Sequence, residues 1–298
     1  MNTNNIRKTS FSTRLQFTGA LLSVFLIAGC AGVGPEGTSA DTLGKIAQGQ
    51  TIKMGYREDS APFSFKSPTG QPAGYSVELC KRVASALQSQ LKLSKLDIQW
   101  VPVTAGNRID MVTNGSVDLE CGSTSRTLGR EQQVDFSVAT FVEGGSFISN
   151  ASMPLRRLSH LDGRKLGVVP GTTTDSALKN LPARGVNPII VPVTTHTEGI
   201  AALREKRIDA YATDRLILMG EAILGQSGSF VLADDYFSLE TYGLMMRRDA
   251  DFRLAVNRAL SKIYRSGEIK TVFQQTFGNR IEPSPLLEAA FLLNALPE

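Results

Sequence analysis

From residue 41 onward, the chain alternates segments of strand character with segments of helical character. Short runs rich in β-branched residues, such as TIKMGY at 51–56 and KLGVV at 165–169, alternate with helical runs such as SVELCKRVASALQSQL at 76–91. Such alternation predicts an α/β fold, in which ligands bind at the carboxyl ends of the strands. The alternation restarts near 163–167, and 298 residues exceed one typical domain, so we expect two lobes.

Two extended segments flank the second set of strands and helices, near 140–148 and 237–246. We interpret both as hinge crossings. Residues 41–140 are then the first part of lobe 1, residues 141–240 are lobe 2 with the hinge strands, and residues 241–298 return to lobe 1 as amphipathic helices. A hinge with two crossings allows the lobes to close over a solute in the cleft between them.

The first 29 residues have the pattern of a secretory signal peptide. Three basic residues and no acidic residue precede an apolar segment at 17–28, which is too short to span a bilayer. The segment ends in IAGC at 27–30, which resembles the bacterial lipobox, whose cysteine receives the lipid. These features predict a periplasmic, membrane-anchored lipoprotein with Cys30 lipidated and residues 30–40 as a flexible tether. An ordinary cleavage site that leaves a free thiol at Cys30 is the alternative.

Charge and motifs exclude several classes of function. Residues 1–29 carry three of the 32 basic residues and none of the 28 acidic residues, so the exported chain has a net charge of +1. It has no dense basic run with interleaved aromatic residues, and nucleic acid is therefore not an expected partner. No HExxH or GxSxG motif occurs, so the sequence predicts no metal and no hydrolytic triad.

Two cysteines, Cys80 and Cys121, remain in a compartment where disulfides persist. Neither belongs to a CxxC motif or has a neighbouring histidine, which argues against a metal site or a nucleophile. The sequence gives no distance between their Cα atoms, so a pair of buried free thiols stays open. We favour a disulfide between them.

Several strings resemble the family-3 amino-acid-binding proteins of ABC importers, and above all the glutamate/aspartate branch. The strings cover most of the chain from about 55 to 249; they are GYREDSAPFSF, GYSVELC, PVTAGNRIDMVTNGSVDLECGSTSRTLGREQQVDFS, VVPGTTTDSALKNL, TTHTEGIAALREKRIDAYATDRLILMGE and ETYGLMMRRD. The resemblance implies a two-lobed type II periplasmic-binding-protein fold that binds glutamate or aspartate in the interlobe cleft. It also implies a monomer without cofactor or enzymatic activity, which delivers its ligand to an inner-membrane permease with its ATPase.

An acidic amino acid carries two carboxylates and one ammonium, so its pocket needs two anion sites and one cation site. Arginine suits a carboxylate because its planar fork donates two parallel hydrogen bonds. By the resemblance, Arg130 binds the α-carboxylate, with help from Ser123 and Ser125 and, from the other lobe, Thr172 and Thr173. The turn that carries these threonines is also a helix N-terminus, which attracts an anion or is simply capped.

The same resemblance assigns the ligand ammonium to Asp214 and the side-chain carboxylate to Arg57, Arg108 and His196, with Thr104 beside them. Residue types alone leave other roles open: Asp214 as an N-cap, the two arginines as surface bases, and the histidine as a structural residue of undetermined charge.

The chain departs from the branch at two positions, Ala105 in place of a serine and Arg215 in place of an acid. These departures leave the preference between glutamate and aspartate undetermined. Two other functions remain possible on the same fold. One is a cyclohexadienyl-dehydratase-like enzyme with Glu143 or Glu198 as general acid, and the other is a ligand-sensing module.

Overall fold

The computed structural model describes residues 41–225, 229–279 and 281–298. The predicted signal peptide, the tether and the lipidation site at Cys30 lie outside the described residues. No helix in the described ranges is both long enough and apolar enough to cross a membrane.

Strands and helices alternate along the chain. The strands of the described residues are β1 (Thr51–Tyr56), β2 (Asp59–Ser60), β3 (Ser64–Lys66), β4 (Pro72–Ala73), β5 (Asp97–Pro102), β6 (Leu119–Glu120), β7 (Asp135–Phe136), β8 (Phe141–Glu143), β9 (Gly145–Asn150), β10 (Lys165–Val168), β11 (Ile189–Pro192), β12 (Ala210–Asp214), β13 (Phe230–Leu232), β14 (Glu240–Tyr242) and β15 (Met245–Met246). The α-helices are α1 (Thr42–Gly49), α2 (Tyr75–Gln90), α3 (Arg108–Thr113), α4 (Leu128–Glu131), α5 (Thr173–Leu178), α6 (His196–Arg204), α7 (Arg215–Gly225), α8 (Ala250–Arg265), α9 (Glu268–Phe277) and α10 (Pro285–Leu293). Short 3₁₀ helices lie at Leu158–Leu161 and Pro182–Arg184.

Each lobe is built around one sheet. In lobe 1 the strand order is β5-β1-β6-β15-β7, and β15 pairs antiparallel with both of its neighbours. In lobe 2 the strand order is β11-β10-β12-β9-β13. Strands β8 and β14 form a separate antiparallel pair where the chain passes between the lobes, with Glu143 opposite Glu240. The two-lobed α/β fold predicted from the sequence is confirmed, whereas lobe boundaries at 140 and 240 stay predictions.

The core of lobe 1 joins distant parts of the chain. Helix α2 presents Leu79, Val83 and Leu87 at helical spacing, and all three side chains are fully buried. They belong to the same apolar cluster as Phe252 of α8 and Val272 of α9. Burial of each such side chain contributes about 1.5–3 kcal/mol, so the C-terminal helices are an integral part of lobe 1.

Ala105, one of the two departures from the resemblance, takes part in the contact between the lobes. It is buried and belongs to an apolar cluster that otherwise comes from lobe 2, including Ile200 and Leu203 of α6. A methyl group fits this apolar contact without adding a hydroxyl that would need a hydrogen-bond partner.

The disulfide between Cys80 and Cys121 is present, which confirms the prediction. It links α2 to the residue that follows β6, with Cα atoms 6.1 Å apart and a sequence separation of 41. Both cysteines are fully buried in the apolar core of lobe 1.

Reduction of this disulfide is expected to lower the free energy of unfolding by about 2–4 kcal/mol, because cross-linking a long loop restricts the unfolded chain. Urea denaturation of the protein with and without reductant measures the difference. A Cys80→Ala/Cys121→Ala double variant provides the control. Because it lacks this disulfide, its unfolding midpoint is expected to be the same with and without reductant. Equal midpoints for oxidised and reduced wild-type protein would contradict the expectation.

Candidate functional site

A cavity between the lobes collects nearly all of the polar residues assigned to ligand binding. The space between its lining atoms, including its opening to solvent, measures about 330 Å³. Both lobes contribute to the lining, which consists of Arg57, Arg108, Ser123, Thr124, Ser125, Arg130, Thr172, Thr173, Thr174, His196, Thr213, Asp214 and Ile217. We call this space the ligand cavity.

Arg130 is held at the cavity by carbonyl groups of both lobes. It lies on α4, whose N-cap Thr127 accepts a hydrogen bond from the Arg130 amide. Its guanidinium donates to the Ser125 carbonyl at 2.7 Å in lobe 1 and to the Gly171 carbonyl at 3.2 Å in lobe 2. Burial lowers the pKa of Arg130, while the nearby acids Glu240, Glu120 and Asp214 act in the opposite direction. The group is therefore a fixed cation with donors left over for a carboxylate.

Hydroxyl groups surround Arg130 from both sides of the cleft. The hydroxyls of Ser125 and Thr173 lie 3.1 Å apart and join lobe 1 to lobe 2. Thr172 is the N-cap of α5, where its hydroxyl accepts from the Asp175 amide at 3.1 Å and donates to the Val169 carbonyl at 2.8 Å. Capping is thus an established task of Thr172 in the structure, and binding of a carboxylate by Thr172, Thr173, Ser123 and Ser125 stays a prediction.

Asp214 is a buried carboxylate at the carboxyl end of β12. Its Oδ2 accepts a hydrogen bond from the Tyr242 hydroxyl of the hinge strand β14. Burial and the neighbouring Glu240 raise the pKa of Asp214 to about 7, against the lowering effect of that hydrogen bond. An ammonium group in the cavity would stabilise the ionised carboxylate and lower this pKa, since an adjacent cation favours the charged form.

Arg215, the second departure from the resemblance, does not line the ligand cavity. Its guanidinium donates to the Ala233 carbonyl at 2.7 Å and lies 5.0 Å from the ring centroid of Tyr236. Its charge is therefore engaged within lobe 2, and the cation–π contact holds it there.

Arg57 and His196 come together with two residues that the sequence analysis did not single out. The Arg57 guanidinium forms an ion pair with Asp59 at 2.8 Å, and the other Asp59 oxygen accepts from the His196 amide at 2.9 Å. The His196 ring nitrogen Nδ1 lies 2.6 Å from the Tyr211 hydroxyl. Burial and the cation Arg57 lower the pKa of His196 to about 4, so the ring is neutral at physiological pH.

Gly199 allows Tyr211 to reach this histidine. A side chain at position 199 of α6 would place its Cβ 2.2 Å from the Tyr211 ring, so only glycine fits without moving the ring. The hydrogen bond between the Tyr211 hydroxyl and Nδ1 fixes the orientation of the imidazole, which leaves Nε2 for the cavity.

Arg108 begins α3 and is buried against the floor of the cavity. It donates to the Ala105 carbonyl. Burial and the neighbouring cations Arg130 and Arg57 lower its pKa to about 9, and it stays protonated at neutral pH. Glu120 of β6 is fully buried near these arginines, and burial raises its pKa although Arg108 acts to lower it. An ionised Glu120 would offset part of the repulsion among these arginines.

Thr104 is the one assigned residue that the structure does not bring to the cavity lining. It is exposed, and its hydroxyl accepts from the Asn107 amide at 3.2 Å, while the Asn107 side chain accepts from the Thr104 amide at 2.8 Å. This local turn directs Arg108 into the cavity, and direct ligand binding by Thr104 stays a prediction.

The two glutamates considered as general acids do not line the cavity either. Glu198 accepts from the Thr194 amide at 2.7 Å in the capping turn of α6. Glu143 lies on the hinge strand β8 and accepts from the Gly144 amide at 2.9 Å. Neither geometry presents a proton donor to a ligand in the cavity.

Four residues that interact with the assigned residues were not predicted from the sequence, namely Asp59, Glu120, Tyr211 and Tyr242. A signal was present for Asp59, since alternate residues of an extended segment lie on one face and Asp59 is two residues from Arg57. The other three have no local signal, because each interacts with a residue of a different element: Tyr211 of β12 with α6, Glu120 of β6 with α3, and Tyr242 of β14 with β12.

Comparison with known proteins places the chain among amino-acid-binding proteins. Residues 52–279 match the family described as bacterial extracellular solute-binding proteins, family 3. An L-glutamate/L-aspartate-binding protein of Pseudomonas aeruginosa is 35% identical over 251 residues, which is 82% of each chain. A glutamate/aspartate import solute-binding protein of Escherichia coli is 30% identical over 271 residues, which is 90% of each chain.

Solved structures of the same architecture agree with the fold. An ancestral arginine-binding protein bound to glutamine superimposes with a TM-score of 0.70 at 24% identity, over 77% of this chain and 99% of that one. An ancestral amino acid-binding protein described as a precursor of cyclohexadienyl dehydratase gives a TM-score of 0.69 at 25% identity, over 79% and 99%. The two-lobed type II periplasmic-binding-protein fold is thereby confirmed.

Proposed function

The chain belongs to the bacterial extracellular solute-binding proteins of family 3, and from this premise we propose that it captures glutamate or aspartate outside the cytoplasm and delivers it to an ABC importer. The inner-membrane permease and its ATPase are the partners of that delivery.

The observation that carries the proposal is the charge pattern of the ligand cavity. Three buried arginines and one buried aspartate line a single space between the lobes. Two carboxylates and one ammonium on a small ligand complement this set, and arginine forks bind carboxylates with two parallel bonds. We assign the α-carboxylate to Arg130, the ammonium to Asp214 and the side-chain carboxylate to Arg57, Arg108 and the neutral His196. The two relatives named for glutamate and aspartate support this ligand class.

Binding is proposed to work by closure of the lobes. The described state already has direct contacts across the cleft, from Arg130 to the Gly171 carbonyl and from Ser125 to Thr173. A ligand that bonds to Arg130 in lobe 1 and to Asp214 in lobe 2 adds its own bridges only in the closed state. It therefore shifts the population toward closure by its differential affinity for the two states.

We also propose that Cys30 is lipidated and holds the exported chain at the membrane. The IAGC sequence at 27–30 supports this. Mass spectrometry of the chain from its native host is the test, and an unmodified Cys30 thiol on the mature chain would contradict it.

Isothermal titration of the protein without its signal peptide, stripped of bound ligand, tests the proposed function. Glutamate, aspartate, glutamine, asparagine, histidine and arginine form the panel. Tight binding of the two acids with little binding of the others is the expected result, because the cavity offers two cationic sites and one anionic site. Preference for an amide or a basic amino acid would contradict the ligand assignment. No binding throughout would favour the enzymatic alternative, which a prephenate turnover assay would then examine.

Arg108→Ala sharpens this test within the same panel. Loss of the Arg108 side chain is expected to lower the affinity for the acids and to leave the affinity for the amides nearly unchanged, since only the acids carry a second carboxylate. Equal weakening of glutamate and glutamine would contradict the assignment of Arg108 to the side-chain carboxylate.

A further inference from the structure

Asp59 links a cavity arginine of lobe 1 to the first residue of a lobe 2 helix. Its Oδ1 lies 2.8 Å from the Arg57 guanidinium, and its Oδ2 accepts from the amide of His196, the first residue of α6, at 2.9 Å. The side chains of Asp59 and Arg57 are 14% and 7% exposed, so the pair is shielded from solvent. Both oxygens of this carboxylate therefore have fixed partners on opposite sides of the cleft.

The partners of Asp59 are groups that a ligand carboxylate would also use. Arg57 lines the cavity, and the first amide of a helix is a favourable anion donor. Asp59 thus occupies one donor edge of Arg57 and the free amide of α6 in advance of any ligand. Its negative charge also lies next to the space where a ligand side-chain carboxylate would meet Arg57, and like charges at short range in a buried site repel strongly.

The charge of Asp59 is stable at neutral pH. Burial acts to raise its pKa, but Arg57 and the His196 amide together lower it below the ordinary value of an aspartate. The groups that face it are Arg57 from lobe 1 and the neutral His196 from α6, with Arg108 further along the cavity floor.

We propose that Asp59 is a specificity-determining residue. Its fixed carboxylate lowers the affinity of the cavity for a ligand with a side-chain carboxylate, and it thereby lowers the ratio of the affinity for an acidic amino acid to that for its amide. This inference rests on the proposed function and refines it. Asp59 also adds a bond between the lobes, which stabilises the closed state for every ligand alike. That contribution cancels when the affinities of an acid and its amide are compared in the same variant.

The variant Asp59→Asn tests the inference because it keeps the size of the side chain and one acceptor oxygen but removes the charge. Titration with glutamate, glutamine, aspartate and asparagine gives two acid-to-amide affinity ratios for each protein. Both ratios are expected to rise about tenfold in Asp59→Asn, because the substitution removes one like charge close to the ligand carboxylate in a partly screened site. Asp59→Ser, which removes the charge and most of the side chain, is expected to change the ratios in the same direction.

Glu58→Gln is the matched control. It removes one negative charge from the adjacent residue, but Glu58 pairs with Lys66 at 3.2 Å and is half exposed, away from the cavity lining. Its ratios are expected to equal those of the wild-type protein.

Ratios that are unchanged in both Asp59 variants would overturn the inference, and so would a rise of the same size in Glu58→Gln. The test separates this inference from the proposed function. If the wild-type protein binds no acidic amino acid but Asp59→Asn does, Asp59 limits acid recognition and the proposed ligand is wrong. If neither protein binds an acid, both proposals fail.

Discussion

Replacement of Arg130 by alanine is expected to remove measurable binding of acids and amides alike. The α-carboxylate is common to all amino acids, and its burial without a cation costs about 3–5 kcal/mol, which lowers affinity by about a hundredfold to several thousandfold. Titration of the variant with the six amino acids measures the loss. If the affinity for glutamate falls while the affinity for glutamine is unchanged, Arg130 binds the side-chain carboxylate instead.

Two further variants separate the role of Arg130 from general damage to the loop. Arg126→Ala removes an exposed arginine that lies four positions before Arg130 and pairs with Glu131. This variant is expected to bind amino acids as the wild-type protein does. Arg130→Lys keeps the charge but loses the planar fork that reaches the Ser125 and Gly171 carbonyls. An intermediate affinity for this variant is expected.

Lowering the pH from 8 to 5 is expected to weaken glutamate binding by about a hundredfold. The pKa of Asp214 is about 7 in the empty cavity, and the ligand ammonium binds only its ionised form. Binding therefore competes with a proton below pH 7, and affinity falls by about tenfold for each further pH unit, whereas above pH 7 it levels off. His196, with its pKa lowered to about 4, stays neutral across this range and adds no charge change of its own.

Titrations at pH 8, 7, 6 and 5 in one buffer system of constant ionic strength measure this dependence. Asp214→Asn serves as the control, because it binds weakly at every pH but has no carboxylate to titrate at this position. A flat wild-type profile would show that Asp214 is ionised before the ligand arrives, in which case Tyr242 and the cavity arginines outweigh its burial.

The fold follows closely from sequence patterns because its elements are periodic. The run at 76–91 becomes α2 at Tyr75–Gln90, and KLGVV at 165–169 becomes β10 at Lys165–Val168. Burial explains the agreement: residues at helical or alternating spacing are those that pack into the two cores. The run VDLECG was less informative, since only Leu119 and Glu120 form strand β6, and the disulfide cysteine follows directly after it.

The site is only partly predictable because its charges interact across the fold. The resemblance indicated nine residues that line the ligand cavity, but no local pattern marks Glu120 as the buried carboxyl group near its arginines. Likewise, the Tyr242 hydroxyl reaches Asp214 from the other hinge strand. Such partners are set by the relative positions of two lobes and a hinge, and the spacing of residues along one segment does not encode them.

The position of β15 has a consequence for the order in which the protein folds. Every strand of the lobe 2 sheet lies between residues 145 and 232, whereas the lobe 1 sheet places Met245 and Met246 between β6 and β7, which end more than a hundred residues earlier. As the chain emerges from the export machinery, lobe 2 has all of its strands before lobe 1 does. Until the chain has passed twice through the hinge, the edges of β6 and β7 that pair with β15 lack their partner strand. Completion of lobe 1 is thus the late, long-range step of folding, and α8 and α9 cover its core only after that step.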